Sequence, residues 1–114
     1  MIRKVKLKIL AQKLVRLHAY VHQVATEKNR QTLMINSPQG EAMKALRCEE
    51  QLTWRLLDKI QRKLQVSAIQ GKSHGDIIKL KLDYPEAYIL WKILLESQEL
   101  EEASEILFEI DPQL

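Results

Sequence analysis

Between Leu7 and Val24 the apolar residues Leu7, Leu10, Leu14, Leu17, Val21 and Val24 fall at alternating separations of three and four. A period near 3.5 residues lines such side chains along one helix face. Ile2, Val5 and Ile9 widen the stripe at its start, and no glycine or proline interrupts the chain before Pro38. The spacing predicts one long amphipathic helix from about Ile2 to Leu33. Its apolar seam would pack in a bundle or pair with another helix.

A second stripe follows the break at Asn36-Ser37-Pro38-Gln39-Gly40. Ser37 suits an N-cap and Pro38 the first helical position. Ala45, Cys48, Leu52, Leu56, Leu57, Ile60 and Leu64 then predict a helix from about Pro38 to Gln65, with Cys48 as a small buried residue. The short connection favours antiparallel packing of the two helices. Residues 66–75 read as a loop around Gly71 and Gly75. Ile77 to Leu82 alternates as a strand would, but with no evident partner it is expected as a short helix or an extended linker. Asp83 and Glu86 have capping-box spacing, predicting a helix to about Glu96 buried through Ala87, Ile89, Leu90, Ile93 and Leu94. After Ser97-Gln98-Glu99 a last helix is expected from Leu100 to Ile110, stopped by Asp111-Pro112. The expectation is an all-α helical bundle of four main helices, two long N-terminal and two short C-terminal. It forms a single domain over 1–114, with a basic hairpin at 1–65 and an acidic one at 76–114.

Composition narrows the class. A length of 114 residues suits one domain, and 3 Gly with 3 Pro are few for a turn-rich β-fold. The lone cysteine excludes an internal disulfide framework and fits a reducing, cytoplasmic setting. No apolar run approaches the ~18 residues of a membrane span, so no membrane partner is expected. Charge is unevenly spread: residues 1–30 hold eight basic groups against one acid, whereas residues 76–114 hold ten acids against three bases. Such polarity points to a surface for a polyanion, a surface for a protein, or both.

The chemistry-bearing residues are sparse. Gly71-Lys72-Ser73 ends like a phosphate-binding loop, but Val66 stands where the motif requires glycine. His18 and His22 lie one helical turn apart, with no third ligand to complete a metal site. No nucleophile has a readable base and no carboxylates form a catalytic pair, so neither an enzyme nor a cofactor is expected. The second helix is richer. Lys44, Arg47, Gln51, Arg55, Lys59 and Arg62 follow spacings of three and four, with Lys63 adjacent. Trp54 lies off the apolar stripe, where a ring can stack on a base while cations hold phosphates. Lys13 and Arg16, with Lys4, Lys6 and Lys8, extend this basic surface from the first helix. Its expected ligand is single-stranded DNA or RNA, bound with low specificity.

A small, basic, helical, cysteine-poor chain without a catalytic constellation resembles the small subunits of CRISPR effector complexes, in size, helicity and charge over its whole length. The resemblance implies a non-catalytic subunit of an antiviral ribonucleoprotein complex. Lys44, Arg47, Arg55, Lys59 and Arg62 would then hold nucleic-acid backbone, and the acidic C-terminal helices would meet neighbouring subunits. Residues 85–88 through Glu102-Ala103 to Asp111-Pro112 also resemble one shortened tetratricopeptide unit. The competing reading is a protein–protein adaptor or regulator that self-associates through the first helix, with Trp54 as an interface anchor.

Overall fold

The computed structural model describes residues 4–34, 40–73, 75–97 and 102–114. The first segment is a strand before it is a helix. Lys4-Val5-Lys6-Leu7-Lys8-Ile9 alternates cation with apolar residue, and this period of two overrides the helical one. Strand β1 (Lys4–Leu10) buries Val5, Leu7 and Ile9 and exposes Lys4, Lys6 and Lys8. Helix α1 (Ala11–Met34) follows without a loop. The partner of β1 is β2 (Ile77–Asp83), paired antiparallel from Lys4 opposite Asp83 to Leu10 opposite Ile77. The fold is therefore mostly helical, with four helices among the described residues, and is not all-α. Both departures have one cause. Each alternating segment needs another strand to satisfy its backbone, and the two segments supply each other.

Within α1 the buried residues are Leu14, Leu17, Val21 and Ala25, and Val24 is only partly covered. Helix α2 (Glu41–Ile69) begins after Gly40, whose φ of 122° excludes most side chains. The expected cap and first position at Ser37 and Pro38 lie outside the described residues, as do Gln98 to Glu101 between the last two helices. Val66 to Ile69 are helical, so the expected loop starts four residues later, at Gln70. The two long helices run antiparallel: Lys28 pairs with Glu49, the His22 ring meets Trp54, and Ala11 and Val15 share a cavity with Leu64 and Ala68. Leu56, Leu57 and Ile60 are buried, whereas Ala45 and Cys48 are exposed, contrary to the expectation for Cys48. The physical reason is length. Helix α2 has 29 residues and α3 (Tyr84–Leu95) only 12, so the cover from α3 ends where Lys92 reaches Glu49.

Helix α3 starts from the expected capping box, in which the Asp83 N–H donates to Glu86 Oε1 at 2.8 Å. Its buried residues include Ala87, Ile89, Leu90, Ile93 and Leu94. Helix α4 (Ala103–Ile110) starts later than expected and ends in a 3₁₀ turn, Asp111–Gln113. It covers the outer edge of β1. The Lys8 N–H donates to Glu109 Oε1 at 2.7 Å and the Lys6 N–H to Gln113 Oε1 at 2.9 Å. Gln113 Nε2 donates back to the Lys6 carbonyl at 2.7 Å, so one carboxamide stands in for a third strand. Val5, Leu7, Ile9, Ile78, Leu80 and Leu82 form the sheet's share of a core that also holds Leu14, Leu56, Leu90 and Ile110.

If the ribbon is a floor of that core, Leu80→Ala destabilises the protein by about 2–5 kcal/mol, while Ile77→Ala on the exposed face stays within about 0.5 kcal/mol. Urea unfolding of the two variants measures the contrast; equal losses would mean that the ribbon does not close the core.

Candidate nucleic-acid interface

The acidic C-terminal half folds back on the basic N-terminal half. Lys13 Nζ lies 2.7 Å from Glu105, and Arg16 pairs with Glu102. Lys59 Nζ lies 2.7 Å from Glu86 and 3.7 Å from Asp83, and Arg55 is 3.9 Å from Asp83. Arg62 has Asp58 one turn earlier at 3.0 Å. Of the nine residues singled out on the helices, Lys13, Arg16, Arg55, Lys59 and Arg62 thus have an acid beside them. Among the described residues, Lys44, Arg47 and Lys63 form no ion pair. Trp54, 39% exposed, meets the edge of His22 with ring centroids 6.2 Å apart and an interplanar angle of 87°. The ring contact is with α1 and not with the arginines beside it in sequence.

The ribbon carries a second basic surface. Its inner side chains are apolar, and its outer ones include Lys4, Lys6 and Lys8 on β1 and Ile77, Lys79, Lys81 and Asp83 on β2. Lys4 faces Asp83 and bonds to it, but Lys6 stands directly opposite Lys81 and Lys8 opposite Lys79. The amides of Lys6 and Lys8 turn outward to Gln113 and Glu109, and the Ala11 N–H extends the inner ladder to the Asp76 carbonyl. The two lysine pairs are thus non-hydrogen-bonded pairs, the kind with Cα atoms about 4.5 Å apart and side chains closest. Like charges so placed repel. None of the four lysines has an ion pair among the described residues. A trough of about 400 Å³ runs between the two lysine rows. A groove of about 530 Å³ adjoins it, with Lys79, Leu80 and Lys81 on one side and Lys59, Arg62, Lys63 and Val66 of α2 on the other. Lys79 and Lys81 are functional candidates that sequence reasoning missed. Their signal was the alternation of Ile77 to Leu82, matched by the same alternation at Lys4 to Ile9.

Other groups sort into structural roles. Glu49 joins three helices, accepting from Lys28 of α1 at 3.0 Å and from Lys92 of α3. Burial alone would raise its pKa, but the hydrogen bonds from Lys92 and Lys28 outweigh that and hold the carboxyl below its ordinary value. The bond to Glu49 raises the Lys92 pKa in return. Burial first, then His22, lowers the His18 pKa, and His18 Nε2 is buried without a partner among the described residues. No three His, Cys, Asp or Glu side chains converge as a metal site among the described residues. The Gly71-Lys72-Ser73 segment follows the C-terminal end of α2, the negative end of a helix dipole. Its amides donate to Ala68 and Ser67 carbonyls and to Asp76 Oδ2, so they do not form a phosphate cradle. No helix among the described residues is long and apolar enough to cross a membrane.

Comparison with protein-family models, curated proteins and solved structures returns no match to this chain. The functional reading therefore rests on the surface itself.

The Glu49 node makes a pH prediction. Its pKa is depressed in the fold, so its contribution is complete above the ordinary glutamate value near 4.5 and is lost as pH falls through the lower folded value. Thermal unfolding between neutral pH and pH about 3 should show an acid-side loss that is smaller in Glu49→Gln than in the unmodified chain. An unchanged acid limb would remove Glu49 as its source.

Proposed function

We propose that this chain is a non-catalytic subunit of a nucleoprotein assembly that holds nucleic-acid backbone on its lysine-faced ribbon. The observation that carries the reading is the opposition of Lys6 with Lys81 and Lys8 with Lys79, without a neutralising acid, on an exposed face. Placing cations opposite one another costs stability, and a bound polyanion reverses that cost. Arg62 and Lys63 continue the positive field across the adjoining groove. Lys44 and Arg47 extend it farther along α2. The binding is of the kind that neutralises phosphates and releases counterions, with little preference for sequence. This is also the role that the resemblance to small CRISPR subunits implies, although the cations that lead it here lie on strands.

Contacts with neighbouring subunits have their own support. Tyr84, Tyr88 and Leu95 share one exposed stripe of α3, and Phe108 on α4 is 85% exposed. Exposed apolar stripes of this kind mark protein contacts. The seam from Leu7 to Val24 is not free for that purpose, because Leu7, Leu14, Leu17 and Val21 are buried in the chain's own core.

Fluorescence anisotropy with single-stranded DNA, single-stranded RNA and duplex DNA across a salt series tests the proposal. Binding should weaken linearly in log salt, and each lysine removed from the ribbon should lower the slope by about 1. Lys81→Glu is the sharpest variant. Giving Lys6 an opposite charge should raise stability by about 0.2–1 kcal/mol while affinity falls. Opposite changes in stability and binding separate a ligand-holding role from a structural one. Undiminished affinity in this variant would dismiss the ribbon as the interface.

A further inference from the structure

The ribbon has two edges, and they are finished differently. On β1 the outward amides of Lys6 and Lys8 each donate to a side-chain oxygen, of Gln113 and Glu109. On β2 the outward amides belong to Ile77, Lys79, Lys81 and Asp83, because the inner ladder uses Ile78, Leu80 and Leu82. The Asp83 amide donates to the Glu86 carboxylate, which also accepts from Lys59. The amides of Lys79 and Lys81 have no such partner among the described residues, and they lie at the groove walled by Lys59, Arg62 and Lys63. Of the outward amides that meet no acceptor among the described residues, those of Lys79 and Lys81 sit where cations are densest.

We infer that the β2 edge is an anion seat: oxygens of successive phosphates in one linear chain accept from the Lys79 and Lys81 amides, while the lysine and arginine side chains of both walls neutralise them. The inference rests on the backbone-holding function proposed above and adds the place and the ligand class. Residues two apart on a strand are about 6.8 Å apart, a pitch that suits neighbouring phosphates of an extended backbone. Amide donors of this kind fix a phosphate chain in register without reading its bases. The lining residues agree, since the groove and trough offer only cationic and aliphatic side chains: no aromatic ring for stacking, no amide or hydroxyl for a base edge. The ligand is thus a single strand read by its phosphates alone. A nucleic acid and an inorganic polyphosphate share that chemistry. An acidic peptide adding as a strand would meet the same amides with its carbonyls, but alternate glutamates would then face away from the lysines, towards the core side of the sheet.

Amide chemical shifts of isotope-labelled protein, titrated with oligothymidylate, a base-free abasic oligomer of equal length, duplex DNA, inorganic polyphosphate and polyglutamate, test the seat. The expected result is that the Lys79 and Lys81 amide signals move with oligothymidylate and the abasic oligomer at similar affinity, and less with duplex and polyglutamate. Polyphosphate separates the two sources: parity with the abasic oligomer means that the phosphate chain suffices, and weaker binding means that the sugar-phosphate backbone is the natural form. Lys81→Pro, which removes the amide hydrogen at an edge position, should bind about tenfold or more weakly than Lys81→Ala, which removes only the charge. Salt-dependent binding that leaves both amide signals unmoved, or that favours duplex or polyglutamate, overturns the seat and leaves the lysine-face reading intact. Absence of binding to every polyanion overturns both. If Lys81→Pro fails to fold, the titration of the unmodified chain still decides.

Discussion

The pairing of residues 4–10 with residues 77–83 is the constraint on which the rest of the molecule depends. It supplies the apolar floor of the core, and it brings the beginning of the chain to the start of α3. It also determines the surface. In a strand, successive side chains take opposite faces, so the register that seats Leu7 against Leu80 is the same register that sets Lys6 against Lys81. A shift of one residue would relieve the lysines and expose the leucines. Burial of six large apolar side chains outweighs cross-strand repulsion of a few tenths to about 1 kcal/mol per pair, so the repulsion is retained. The charged face is in this sense a product of the core.

The charge polarity of the sequence is spent largely within the chain. Acids from β2, α3 and α4 pair with cations of β1, α1 and α2, and each exposed pair adds little to stability. Their larger effect is on the surface field, because a paired cation attracts a distant anion less. What is left positive is the part of the ribbon face beyond the Lys4–Asp83 pair, where Lys6, Lys8, Lys79 and Lys81 form no ion pair among the described residues. Helix α4 covers one edge of the ribbon and α2 flanks the other, and neither crosses the outer face between Lys6 and Lys81.

Much of this was legible from the sequence. The capping box at Asp83 and Glu86, the buried residues of α3 and the antiparallel long helices follow from local spacing alone. The ribbon did not follow, because Leu7 belongs both to the helical series Leu7, Leu10 and Leu14 and to the strand series Val5, Leu7 and Ile9. Choosing between the periods needs the partner strand, and Lys4 and Asp83 are 79 residues apart. The basic residues of α2 were visible as a stripe, but the acids that answer Arg55, Lys59, Lys13 and Arg16 come from distant elements. Sequence spacing locates charges on a helix. It does not say which of them the rest of the chain will neutralise.

The same separation of 79 residues has a consequence during synthesis. At ribosomal rates of 5–20 residues per second, β1 waits roughly 4–16 s for its partner to emerge. The helical hairpin, built from neighbouring segments, can form in that interval, while the ribbon must wait for closure of a long loop. For those seconds the nascent chain carries an alternating segment without its partner, of the kind that pairs with neighbouring copies. Its lysines at every second position make such pairing repulsive. The residues that face one another across the finished ribbon are therefore also the ones that keep the unfinished chain solitary.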